Sequence, residues 1–193
     1  MNNTADRLVQ EARQLIIHVG YNGFSYADLA ERFGIRKASI HHHFPSKVDL
    51  VVAVLEQERA GLRAQVSILE TTTPAAVDQL LVYLDHWKRC ILDQSAPFCL
   101  AGMLAAELPG LPPAVGVGVR AFFTELHDWL QRLLALGVEQ GTLQLENTPD
   151  VAAQSFQSAV YGAMLMARAY GDPSKFAVVV DAHLRRMRRD TRH

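Results

Sequence analysis

Cysteine is scarce in this chain: Cys90 and Cys99 are the only two among 193 residues. Two cysteines build no disulfide framework, so a reducing compartment, the cytoplasm, is expected. Long hydrophobic runs are lacking as well. None approaches the ~18 residues that a spanning helix needs, and the stretch from Met1 to Gln14 is polar and mixed in charge, unlike a signal peptide. No membrane partner is expected. The usual marks of an enzyme are also missing. There is no Gly-rich phosphate loop, no Gly-x-Ser-x-Gly elbow and no Glu-x-x-His pair of the kind that builds a di-iron bundle. A helical-bundle enzyme is therefore disfavoured, and no catalytic residue, cofactor or metal is expected.

A large excess of one charge is absent too, since the net charge is only -1. The distribution is less even than the total. Residues 1–50 carry a net +1, residues 51–181 a net -6 and residues 182–193 a net +4. Exposed charges are screened over about 8–10 Å in physiological salt, so a local basic patch still steers toward phosphate. What the chain does have is apolar material: 49% hydrophobic against 20% charged residues, enough to bury a core.

The pattern is helical nearly throughout. Leu8, Ala12, Leu15, Ile16 and Val19 form one stripe at helical spacing, ended by Gly20 and Gly23. Ser25 is placed to cap a helix over 26–33, stopped by Gly34. A third segment over 37–44 closes at Pro45, and Ser46 with Asp49 starts a long fourth helix. Further helices are expected at 75–94, 98–108, 114–139, 149–170 and 174–189, separated by proline and glycine. No period-two strand is visible.

The segment from Phe24 to Lys47 is the most informative. Two short helices meet at a turn containing Gly34, with Leu29, Ala30 and Phe33 facing inward from the first and Ile40 and Phe44 from the second. That is the grammar of a helix-turn-helix. Residues 32–47 contain Arg32, Arg36, Lys37 and Lys47 and no acid. Arg36, Lys37, Ser39, His41, His42 and His43 are left for the exposed face of the second helix, where hydrogen-bonding and positive side chains suit a major groove. Phosphate contacts are expected from Ser25, Tyr26 and Lys47. The three consecutive histidines do not make a metal site, because neighbours on a helix point about 100° apart.

The runs Gly20-Tyr-Asn-Gly-Phe-Ser, Asp28-Leu-Ala, Gly34-Ile and Ala38-Ser-Ile-His-His-His-Phe-Pro-Ser-Lys-Val-Asp-Leu50 resemble the DNA-binding domain of the tetracycline-repressor (TetR) family. The resemblance is specific over about residues 8–55. It implies an all-α fold: an N-terminal three-helix head at 1–46 that binds a double-stranded, pseudo-palindromic operator, and a C-terminal ligand-binding and dimerisation domain at 47–193. It implies a ligand-responsive transcriptional regulator, a repressor released by a small hydrophobic or electrophilic compound. The chain departs from the family where Leu-Tyr-x-x-Phe is common, reading Ile40-His-His-His-Phe44 instead, so the tyrosine's phosphate contact falls at His41. A purely protein-binding adaptor that uses the head as an interaction module remains the alternative.

In the larger half, Trp87, Cys99, Met103, Phe123 and His127 are candidate effector-binding residues, since a pocket between helices needs large soft walls and a few polar groups. Ordinary core packing would use the same side chains. Cys99 is either a buried thiol or a reactive one near a helix start. Small residues at Ala152, Ala159 and Ala163, with Phe156 beside them, and the stripe through Val180 and Leu184 suggest a four-helix homodimer interface. Either stripe could instead face the chain's own core, but stripes this wide, together with the family resemblance, favour dimerisation. The arginines 185, 186, 188, 189 and 192 read as a solvated helix end favoured by the helix dipole.

Overall fold

The computed structural model describes residues 4–189. Arg192 lies outside the described residues. Among the described residues there are nine α-helices and one turn of 3₁₀ helix, with no strand beyond an isolated bridge between Leu143 and Arg188. The chain forms two compact units, Met1–Gly61 with Cys99–Phe123, and Leu62–Phe98 with Thr124–His193.

The first unit holds α1 (Thr4–Val19), α2 (Tyr26–Phe33), α3 (Lys37–His43), the first half of α4 (Lys47–Thr72), α6 (Leu100–Ala106), the 3₁₀ turn Leu108–Gly110 and the start of α7 (Pro113–Glu139). Local chemistry sets the borders of the short helices. Ser25 accepts from the amides of Ala27 and Asp28 while its own amide donates to Asp28 Oδ2 at 2.6 Å, a complete capping box. Gly34 ends α2 in the left-handed conformation at φ 62°, where a side chain would be strained. A second box starts α4: the Ser46 amide donates to Asp49 Oδ2 at 2.8 Å and the Asp49 amide to Ser46 Oγ at 3.3 Å. Each such cap stabilises its helix by about 1 kcal/mol. Leu8, Ala12 and Ile16 of α1, Leu29 of α2, Ile40 of α3 and Leu50, Val51, Val54 and Leu55 of α4 are all fully buried. Val19, the last of the expected α1 stripe, is exposed.

The second unit comprises the rest of α4 and α7 with α5 (Ala76–Leu92), α8 (Pro149–Tyr170) and α9 (Ser174–Met187). Leu80, Leu84, Leu130, Leu134, Phe156 and Phe176 form its centre, each at or near zero exposure. Three helices stop two residues short of expectation: α6 ends at Ala106, before the 3₁₀ turn, and α5 and α9 end early for local reasons. After α5, Gln94 sits at φ 60° and the Asp93 carboxylate takes the Ser95 amide at 2.9 Å, so the chain turns before 94. After α9, Arg188 is extended and the amide of Gln144 donates to Met187 O at 2.8 Å, which converts the expected last turn into the bridge to the α7–α8 loop.

Candidate nucleic-acid interface

Helix α3 turns one buried residue, Ile40, into the head and leaves Arg36, Lys37, Ser39, His41 and His42 exposed, with His43 half-buried. Residues 32–47 themselves carry no acid, and the flanking Asp28 and Asp49 each accept from a capping serine. Arg32 is drawn away from it, pairing with Glu11 of α1 at 3.0 Å.

His41 has a constrained role. Its Nδ1 lies 3.0 Å from the Pro45 carbonyl, and its ring packs edge-on against Tyr26 at 4.9 Å. A carbonyl only accepts, so Nδ1 carries the proton. Neutral His41 then offers Nε2 as an acceptor, and only the imidazolium can donate to a phosphate oxygen.

Two residues expected at phosphates are committed to the head's own backbone. Tyr26 is buried, and its hydroxyl donates to the carbonyls of Phe44 at 3.0 Å and Ser46 at 2.5 Å, bridging the α3–α4 junction. Burial, with Asp49 and Tyr21 adding to it, pushes its pKa up to about 12. Lys47 points into the head rather than out of it. Its ammonium donates to the carbonyls of Tyr21 and Phe24 and lies 4.4 and 4.1 Å from the centroids of their rings. Desolvation holds the Lys47 pKa below its ordinary value, against the pull of Glu107 and Asp28. The flexible stem carries the ammonium to two backbone carbonyls and two aromatic faces, which only partly offset its loss of water.

Glu107, directly after α6, completes this arrangement and escaped the sequence reading. Its Oε1 accepts the Tyr21 amide at 3.0 Å, and its Oε2 accepts the Asn22 amide at 3.2 Å and the Asn22 side-chain nitrogen at 3.1 Å. Gly20 makes room for it. That residue sits at φ 77°, and a Cβ there would overlap Oε1. The Gly20–Asn22 turn is thus held by a carboxylate on one side and by Lys47 on the other. The only sequence signal was the glycine itself.

The effector candidates are divided between the two units. Trp87 and His127 lie in the second unit, half-buried, with His127 Nε2 2.9 Å from Asp150 Oδ1. Met103 and Phe123 lie half-buried in the first unit, and Cys99 there is 3% exposed at the N-cap of α6. The second unit does contain a cavity of about 230 Å³, lined by Leu62, Val66 and Leu69 of α4, Tyr83, His86 and Arg89 of α5 and Trp129 of α7, among others. None of the five candidates lines it. On α5 the wall is made by Val82, Tyr83, His86 and Arg89, and Trp87 is one residue, about 100°, around the helix from His86.

Of the expected interface residues, Phe156, Ala163, Val180 and Leu184 are buried within the chain's own second unit, while Ala152 and Ala159 are half-buried. The outer faces of α8 and α9 carry a different apolar set: Val151, Leu165, Met166, Tyr170, Val178 and Val179 are 39–70% exposed. Among the described residues no three His, Cys, Asp or Glu side chains group as metal ligands, and no helix is long and apolar enough to cross a membrane.

Comparison with known proteins agrees with this architecture. Residues 8–54 match the bacterial regulatory proteins of the tetR family, and residues 76–183 match the tetracyclin repressor-like C-terminal domain. A TetR-family transcriptional regulator from Agrobacterium tumefaciens is 45% identical, with 96% of this chain and 97% of that one covered at a TM-score of 0.93. A TetR regulator from Legionella pneumophila is 30% identical, covering 97% and 98% of the two chains at a TM-score of 0.87. The transcriptional repressor DhaR of Mycobacterium sp. strain GP1 is 25% identical over 82% of this chain and 79% of its own length. A helix-turn-helix head with a paired C-terminal match, in a chain that covers most of its relatives' length, leaves one conclusion: the protein belongs to the TetR family of helix-turn-helix transcriptional regulators.

Proposed function

We propose that the protein is a homodimeric repressor, acting in the cytoplasm, that leaves a pseudo-palindromic operator when a small molecule occupies its second unit. The observation that carries the DNA reading is the α3 face: Arg36, Lys37, Ser39, His41 and His42 are exposed together, without acid, on a helix anchored at Ile40. Such a helix presents base-reading donors to a major groove. Ser25 is exposed at the start of α2, but its amide and its hydroxyl both donate to Asp28 Oδ2, so it too serves the head's own structure. Tyr26 and Lys47 shape the head instead of touching DNA. The second copy is proposed to seat on the outer face of α8 and α9, where Leu165, Met166, Val178 and Val179 lack an intrachain cover. Two heads then address two half-sites.

The trigger is proposed to be reversible occupancy of the cavity between α4, α5 and α7. Helix α4 supplies both Lys47 and the cavity residues Leu62, Val66 and Leu69, so one continuous helix contributes to the head and to the cavity wall. A ligand regulates only through differential affinity for two arrangements. Cys99, nearly inaccessible, is not needed as a covalent sensor.

The deciding experiment is a mobility-shift and footprinting assay with DNA flanking the protein's own gene. The expected result is one dimer on a symmetric footprint, with affinity falling steeply as salt rises. Binding equally well to any duplex, or none, would overturn the regulator reading for this DNA face.

A further inference from the structure

We infer that the cavity between α4, α5 and α7 takes a small apolar monocarboxylate, one ring or a short branched chain, that gives its carboxylate to Arg89. This rests on reading that cavity as the effector site.

Size sets the first limit. The volume of about 230 Å³ lies between the roughly 150 Å³ cavity that accommodates benzene and the roughly 300 Å³ at which drug-sized sites begin. One ring with a short substituent matches this volume better than a fused polycyclic compound does. The walls supply the second limit. Leu62, Val66, Ile68, Leu69 and Val82 are aliphatic, and Tyr83 and Trp129 meet edge-on at 5.5 Å. They favour an apolar body.

Polar groups supply the third. Trp129 is 2% exposed and gives the wall ring surface, with its Nε1 buried. No carboxylate lines the cavity, whereas Arg89 and His86 do. The Arg89 Nε donates to the Asp85 carbonyl at 3.3 Å, which leaves its terminal nitrogens for an anion. Asp93, which Arg89 influences electrostatically, is exposed and holds the Ser95 amide. A cation on an otherwise apolar wall selects an acid over its neutral isostere.

Direct binding is measured by tryptophan fluorescence and calorimetry, without DNA, using benzoate with its 4-methyl and 4-hydroxy derivatives, the matching benzyl alcohols and 1-pyrenecarboxylate. The wild type is expected to bind a one-ring acid at least about tenfold more tightly than its alcohol, equivalent to about 1.4 kcal/mol, and to bind the pyrene acid more weakly. Arg89→Gln, at an exposed position, is expected to bring acid and alcohol level. Trp129→Phe is expected to weaken both. Equal affinity of acid and alcohol in the wild type overturns the proposal, and so does failure of all one-ring acids to bind. The same probes are then added to the operator complex. Tight, Arg89-dependent binding that leaves the complex intact retains the ligand class and overturns the effector reading.

Discussion

Removing the Glu107 carboxylate tests whether the Gly20–Asn22 turn is held from α6. Glu107→Ala deletes three hydrogen bonds at 3.0, 3.2 and 3.1 Å. Bonds to a charged acceptor contribute about 1.5–3 kcal/mol each when buried. Solvent replaces part of this, because Glu107 is half-buried and Asn22 is exposed. Tyr21 is 9% exposed, so its amide is the donor left poorly satisfied. The net loss is therefore about 2–3 kcal/mol, which for a chain of this size lowers the melting temperature by roughly 4–12 °C. Both tryptophans, Trp87 and Trp129, lie in the second unit. The loss should thus appear in calorimetry and far-ultraviolet circular dichroism before it appears in tryptophan fluorescence. Glu107→Gln is expected to recover little, since its amide nitrogen would face donors. Gly20→Ala should behave alike, because its Cβ displaces the carboxylate and its φ of 77° strains a side chain. The two changes break the same contact, so the double variant should lose less than the sum. If Glu107→Ala and Gly20→Ala both melt at the wild-type temperature in calorimetry, the clamp does not hold the head.

Tyr26 should make the head sensitive to alkali. Its folded pKa of about 12 is above the unfolded value of 10.0, so its contribution is complete below pH 10 and is lost as pH rises through about 12. Chemical unfolding across that window should show a falling stability in the wild type and a flatter one in Tyr26→Phe. Lys47→Ala should lower thermal stability, whereas exposed Lys37→Ala should leave it unchanged and weaken operator binding, each checked by calorimetry and by binding at several salt concentrations. Leu165→Arg should sediment as a monomer that no longer holds two half-sites; an unchanged dimer in sedimentation would place the interface elsewhere. Under native conditions N-ethylmaleimide should label Cys90 and spare Cys99, read by mass spectrometry, because Cys99 is 3% exposed.

Much of the helical layout was legible because its signals are local. Helices 26–33 and 149–170 begin and end where the caps and punctuating residues place them: Ser25 and Gly34, then Pro149 and Gly171. A cap acts on backbone groups within three or four residues, so a reader of the chain sees both partners at once. The exposed α3 face was legible for the same reason, from two expected inward residues, Ile40 and Phe44, of which Ile40 is buried and Phe44 half-buried, and from an acid-free run. Dimer residues were harder. Phe156, Val180 and Leu184 were recognised as apolar stripes, but periodicity does not say whether a stripe meets its own core or another chain.

The sequence by itself determined the all-helical class, the head and its reading helix, because these follow from periodicity and capping over short spans. Only the tertiary structure decided where Lys47 and Glu107 act. Glu107 meets Tyr21 across 86 residues, and Lys47 meets Tyr21 across 26, with no local pattern to announce either pairing. It also decided that Trp129 and Arg89, not Trp87 and Cys99, face the cavity. A long helix offers residues on every side, and which side lines a cavity depends on how its neighbours are packed, a quantity that no spacing within one helix contains.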